Sequence, residues 1–558
     1  MGNCVFQKDS PLIYITSIRV RLQYNKKMYC CQGRRNQIHI FYSILVNAVA
    51  FNQHYCYSIT ISVIAKMKGA TSIMDFREGH VLPTVRIQKI VLEKYKSVSY
   101  GEVLFNCGRK KIPQDTEADI LGIYGQNGSG KTAVIEALSI LKQAMTGRAI
   151  DARYSECISK GADYSKFTFV FDFQYPPDNI TRTITYSFKL GTQPNEAYID
   201  FDEVNEGDDY NVPLSSLYRN TIKIFDEVVS ASGLFGGRNQ KMQDILTSSG
   251  KNYPIGPARK LPHFVGSNKE GSAVELEVCK RTASKNSSSF IFSKDTMELF
   301  HKYSGYSEFF QVLMELHFYA VNYLYVVDTR LAGLGGYRFA APLFTRRGDL
   351  PMPLLGPSTK VSQEVFEQLE SVVNGINMVL PSMVTGLQLE IAYNEVVKGE
   401  KTWKEIRFNS RRNGFSIPLR DESAGLIRII SIISLIISAF NDRSITVAID
   451  ELDAGVYEYL LGELLGGLET YGKGQFIFTS HNLRPLEVLK KESIIFTTTN
   501  PDNRYIRLKG VGHTNNLRSL YLREILGNSQ DEKIYDAEKK QRMYASFMRA
   551  GVGYGEEE

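Results

Sequence analysis

Ile120-Leu121-Gly122-Ile123-Tyr124-Gly125-Gln126-Asn127-Gly128-Ser129-Gly130-Lys131-Thr132-Ala133-Val134-Ile135-Glu136-Ala137-Leu138 decides how this chain is read. A short apolar run leads into a glycine-rich turn and then into good helix formers, the order strand, loop, helix. Gly125, Gly130, Lys131 and Thr132 satisfy the phosphate-loop spacing G-x-x-x-x-G-K-[ST]. Glycines let successive backbone N–H groups converge on phosphate oxygens, and the start of the helix adds the positive end of its dipole. Lys131 is placed to reach β- and γ-phosphates, and the Thr132 hydroxyl to ligate Mg²⁺. The stretch therefore predicts a nucleoside triphosphate site, with helix from Lys131 to about Met145.

A second cluster of signals lies far downstream. Ser444-Ile445-Thr446-Val447-Ala448-Ile449-Asp450-Glu451 reads as a buried strand ending in two carboxylates. Asp450 at the strand tip suits Mg²⁺ through its water shell, and Glu451 is then placed to polarise an attacking water. Leu452-Asp453-Ala454-Gly455 follows at once, and the run Gln475–Ser480 is a further strand that delivers His481, a candidate γ-phosphate contact. Upstream, Asp421-Glu422-Ser423-Ala424-Gly425 precedes an Ile/Leu/Ser-rich helix reaching Phe440. Ser423 and Gly425 offer a hydroxyl and a bare backbone to phosphate. Serine is equally a common helix N-cap, and both readings stand.

Phosphate loop, Ser-x-Gly, Asp-Glu strand with Leu-Asp-Ala-Gly, and strand-tip His together resemble ABC-type ATPases, most nearly the SMC/RecF/OLD branch and not membrane transporters. Asn127 within the loop and Tyr95-Lys96-Ser97-Val98, similar to the N-F-K-S-F opening of those proteins, add to the likeness. It covers residues 85–200 and 386–500. Glu422-Ser423-Ala424-Gly425 departs from the family's Leu-Ser-Gly-Gly, and only Gln174 offers itself as glutamine-loop residue. The resemblance implies an α/β fold: an ABC-type head, a phosphate-loop mixed sheet with an antiparallel β-subdomain, interrupted by a mostly helical insertion. It implies ATP and Mg²⁺ as cofactors and catalysis by Lys131, Glu451 and His481. Nucleotide contacts would come from Gly125, Asn127, Gly128, Ser129, Gly130, Lys131 and Thr132, and the metal would sit on Thr132 and Asp450. Ser423, Gly425 and Asp453 would meet the nucleotide of a partner head, so the active unit would be an ATP-sandwiched homodimer.

The remaining chain is read around these landmarks. Val85–Leu92 and Gly101–Phe105 are strands, and Phe167–Phe173 with Thr181–Phe188 form a hairpin. Within 201–385, acidic and Gly/Ser/Asn-rich stretches, Ser230–Gly237 among them, punctuate helices at Asp295–Phe318 and Val361–Val379. No heptad is sustained, so no coiled-coil arm is expected. Residues 501–558 form a tail with a charged helix. The nuclease module that OLD proteins carry after the ATPase is not visible there. By analogy with stand-alone heads of bacterial anti-phage systems, the effector is then a separately encoded nuclease or toxin; a RecF-like ATPase on duplex DNA is the alternative.

Composition bounds these readings. The net charge is +6, but residues 1–66 hold eight Lys and Arg against the single acid Asp9, leaving the rest close to neutral. That balance gives no support to DNA binding by the main body. Seven cysteines without a C-x-x-C pair suggest neither a disulfide framework nor a zinc site, and a reducing cytoplasm is the default. Residues 1–66 are read as a basic extension outside the fold, with Met67 or Met74 as the more natural start. An accessory segment and a membrane anchor are the alternatives, although the apolar run Ile38–Phe51 is shorter than a span.

Overall fold

The structure, a computed structural model, describes residues 81–105, 118–176, 180–198, 214–266, 269–304, 307–328, 340–345, 348–353, 358–398, 401–509, 516–527, 530–535 and 539–553. The chain divides into Met1–Val81 and Leu82–Glu558, and the elements below belong to the second unit. The expected extension 1–66 lies outside the described residues.

Strands are numbered in chain order. An antiparallel sheet runs β2-β1-β4-β5-β6-β7, built from β1 (Thr84–Tyr95), β2 (Val98–Leu104), β4 (Ser165–Tyr175), β5 (Ile180–Pro194), β6 (Asn220–Phe235) and β7 (Arg238–Thr247). In β4 the rings of Phe167, Phe169, Phe171 and Phe173 are fully buried while the residues between them are half-buried. That period of two is expected of a sheet with one face on a core.

The second sheet runs β18-β17-β3-β16-β15-β8, from β3 (Asp119–Tyr124), β8 (Leu324–Val327), β15 (Thr446–Ile449), β16 (Gln475–Thr479), β17 (Ile494–Thr497) and β18 (Tyr505–Ile506). All its pairings are parallel except β17 with β18. Every residue of β3, β15, β16 and β17 is buried. A parallel sheet covered on both faces needs unbroken apolar runs, which is why these strands show no alternation in sequence.

The segment 201–385 contains the helices α2 (Lys269–Lys285), α3 (Lys294–Ser304), α4 (Glu308–Asn322) and α5 (Gln363–Met383), but it is woven into both sheets. Its β6 and β7 complete the antiparallel sheet, and its β8 is the edge of the parallel one. Ser230–Phe235, expected to punctuate helices, lies inside β6. Gly236 and Gly237, both with positive φ, make the two-residue hairpin turn to β7. The single helix expected over Asp295–Phe318 is two, α3 and α4, and Val361 lies inside a short strand instead of opening a helix. A third sheet, β11-β13-β12 with β14 on β13, comprises β11 (Thr359–Ser362), β12 (Gln388–Lys398), β13 (Lys401–Arg412) and β14 (Phe415–Pro418). Ala340–Thr345 and Gly348–Pro353 form a separate two-stranded pair, β9 and β10.

Helix α1 (Lys131–Met145) follows β3, and helix α6 (Ala424–Asn441) joins two cores. Leu426, Ile429, Ile430 and Ile433 pack with α5 and the third sheet. Ile432, Leu435, Ile436 and Ala439 pack with the parallel sheet and helix α7 (Glu458–Tyr471). Because its two halves meet different cores on different sides, α6 is apolar nearly all round, with a mean hydropathy of 1.9. By length and composition it is the one membrane-span candidate among the described residues. Helices Leu517–Gly527 (α8) and Lys539–Gly553 (α9) lie in the tail. Leu435→Ala, at a fully buried site on α6, should cost about 2–5 kcal/mol, read as a lowered urea midpoint.

Candidate nucleotide site

The turn after β3 is built for close approach. Gly125 has φ +150°, and a Cβ there would fall 1.7 Å from the Thr497 hydroxyl oxygen at the end of β17. Gly128 and Gly130 are also left-handed, and Gly130 enters α1 without a side-chain cap. The first-turn N–H groups of a helix have no intrahelical acceptor, so this uncapped end suits an anion. Asn127 and Gly128 are exposed at the loop's tip.

The loop is held from behind. Ser129 Oγ donates to Gln126 O at 2.6 Å and lies 2.5 Å from Thr497 Oγ1. Tyr505 OH donates to Gly130 O at 2.8 Å, and Ser97 Oγ to Gly128 O at 3.1 Å. The turn bearing Ser97 is itself anchored on α1: Tyr95 OH donates to Glu136 Oε2 at 3.0 Å and Lys96 pairs with the same carboxylate. Ser97 belongs to the stretch singled out in the sequence. Thr497 and Tyr505 belong to no motif, and nothing in the sequence around them points to the loop.

Lys131 is buried, its ammonium donating to Gly125 O at 2.9 Å and Gln126 O at 3.0 Å. Burial pushes its pKa below the ordinary lysine value, against the pull of Asp450, Glu451 and Asp453. The downstream carboxylates therefore face the loop electrostatically. Thr132 Oγ1 lies 3.4 Å from Asp450 Oδ1, so the two expected metal ligands converge although 318 positions apart in sequence. Thr479, one strand over, donates to the same Asp450 Oδ1 at 2.5 Å. Among the described residues no group of three or more His, Cys, Asp or Glu side chains could hold a metal by itself. One hydroxyl and one carboxylate fit Mg²⁺, which keeps several waters and leans on substrate phosphates. When bound, Mg²⁺ supplies charge neutralisation to those phosphates.

Glu451 is exposed and has φ +47°, left-handed for a residue with a Cβ. Its N–H donates to Thr479 Oγ1 at 2.7 Å. Asp453 Oδ2 accepts the backbone N–H groups of His481 and Asn482, each at 3.0 Å, tying the turn after β15 to the turn after β16. Burial first, and Lys131 next, hold the His481 imidazole below its usual pKa while the three carboxylates oppose them, which favours the neutral ring at neutral pH.

Ser423 caps α6, its Oγ accepting Leu426 N–H at 3.3 Å. Gly425 packs on Gly455: a Cβ on Gly425 would fall 2.0 Å from Gly455 O. Neither is bonded to the phosphate loop of its own chain among the described residues. Gln174 sits within β4, not in a loop, with its amide on Asp172 Oδ2 at 3.0 Å. Its place in the antiparallel sheet gives it no bond to the phosphate loop or the carboxylates.

No family model matches the sequence, and no curated protein matches it. Solved structures do. An SMC head bound to the C-terminal winged-helix domain of ScpA is 13% identical, with a TM-score of 0.34 over 76% of this chain and 97% of that one. The SMC head domain from Thermotoga maritima is 13% identical, with a TM-score of 0.29 over 76% and 99%. The recombination mediator RecF is 12% identical, with a TM-score of 0.30 over 76% and 99%. The site rests on the chain's own geometry: a mainly parallel sheet that carries the phosphate-loop motif and a separate antiparallel sheet.

Glu451→Gly should relieve the left-handed backbone and raise the unfolding free energy by about 0.5–1 kcal/mol in urea titration.

Proposed function

We propose that the chain is a Mg²⁺-dependent ATPase of ABC type. The observation that carries this is the meeting of Thr132 and Asp450 beside a buried Lys131, with Glu451 and His481 at adjacent strand tips. Lys131 and the loop glycines bind the phosphates, Asn127 and Ser129 shape the loop, and Thr132 and Asp450 hold the metal. Glu451 acts as general base toward water, and neutral His481 donates to the γ-phosphate. Ser423, Gly425 and Asp453 complete a second copy's site, giving a homodimer closed by ATP and opened by hydrolysis. By resemblance alone, this cycle drives a separately encoded nuclease or toxin in anti-phage defence, in the cytoplasm.

One feature favours a second reading, an ATPase acting on duplex DNA. Arg407 and Arg411 are exposed on one face of β13, with Arg412 and Arg420 nearby in sequence. Salt-dependent duplex binding lost in Arg407→Glu/Arg411→Glu would decide for it.

Lys131→Ala should abolish ATP binding in calorimetry, and unchanged affinity would sink the assignment. Glu451→Gln should lower turnover by about 10²–10⁴-fold and trap an ATP-dependent dimer on a sizing column. A monomer at all ATP concentrations would count against the sandwich.

A further inference from the structure

Helix α6 makes one polar contact with the tip of β15 that no motif announces. Arg428 Nη2 donates to Asp450 O at 2.9 Å. That carbonyl belongs to the peptide joining Asp450 to Glu451, whose N–H is taken by Thr479 at 2.7 Å. The peptide unit is therefore gripped at both ends, from α6 on one side and β16 on the other. It is also the unit that precedes the left-handed Glu451, a conformation that persists only when its surroundings over-determine it.

Two further observations tie the same helix to the same turn. Gly425, three residues before Arg428, packs backbone to backbone on Gly455, so the turn 451–455 rests directly on the start of α6. The Arg428 side chain is half-buried beside the same turn. Its buried Nε has no hydrogen-bond partner among the described residues. An arginine whose buried Nε is left one bond short is costly to keep for packing alone.

We infer that Arg428 is a positioning residue that couples the N-terminal end of α6 to Glu451. The start of that helix, with Ser423 and Gly425, is the part that would engage a partner's nucleotide. A small displacement there is transmitted through Arg428 to the 450–451 peptide and sets the direction in which the Glu451 carboxylate points. Engagement of the second head and readiness of the general base become one event. This inference rests on the ATPase reading and adds to it the route by which one site senses the other.

The test is a double-mutant cycle on the full chain with Mg-ATP. Arg428→Met should lower kcat by about 10- to 100-fold, the penalty of a small misplacement, with the affinity for ATP changed less than about twofold. Arg428→Lys, which keeps a donor, should recover most of the loss. In the Glu451→Gln background, Arg428→Met should cost nothing further, because its effect passes through Glu451. Thermal melting of each variant separates this from simple unfolding, which would lower binding and turnover together and would not be rescued by lysine. An undiminished kcat in Arg428→Met, or the same fold loss in both backgrounds, overturns the coupling while leaving the ATPase intact. Absence of ATP binding and turnover in the unmodified chain would instead sink the ATPase reading and this inference with it.

Discussion

The parallel register of β3, β16 and β15 is the constraint on which the site depends. Thr479 pairs with Ile123 and Phe478 with Ile449, so three strands end at the same level. Strands that run the same way release their loops at one edge, and ligands of open α/β sheets bind beyond that edge. Here the edge gathers the phosphate loop, the Asp450–Glu451 tip and the His481 turn. Antiparallel neighbours would have sent alternate loops to opposite ends and scattered these groups. The Asp450 carboxylate then draws Thr479 and Thr132 together across three successive elements.

Around that edge the chain makes support from ordinary packing. The antiparallel sheet carries the Tyr95–Ser97 turn to the back of the phosphate loop, and β17 and β18 bring Thr497 and Tyr505 to its sides. Helix α6 is the mechanical link to the rest. Its first half is buried in the core of α5 and the third sheet, and its second half in the core under the parallel sheet. A rigid rod embedded in both cores cannot move at one end without loading the other. The Gly425–Gly455 contact and the Arg428 bond place that load on the turn that holds Glu451.

Much of this could be read from residue order. The β4–β5 hairpin, the helix after Gly130, the apolar strand before Asp450 and the strand before His481 all lie where local pattern puts them. Ser423 realises the simpler of its two readings within the chain, a helix cap. The reading strained where local signals were ambiguous. Ser230–Gly237 is rich in small residues, yet a six-stranded sheet pulls most of it into β6. Residues 201–385 look helical over long windows, but β8 is only four residues long and earns its place through pairing with β15. Thr479, Thr497, Tyr505 and Arg428 left no signal, since each is an unremarkable residue type whose role comes from what lies opposite.

By itself the sequence determined which groups are at hand: a phosphate-loop motif from Gly125 to Thr132, a carboxylate pair at Asp450 and Glu451, and a histidine at position 481. Those assignments are local, because backbone freedom, helix start and strand end are properties of a few adjacent residues. Only the tertiary structure decided that Thr132 and Asp450 meet, that Glu451 sits in a left-handed turn, and that Gly425 serves a backbone contact with Gly455. Such facts arise from strand pairing and helix packing between segments hundreds of residues apart, and no window along the chain contains both partners.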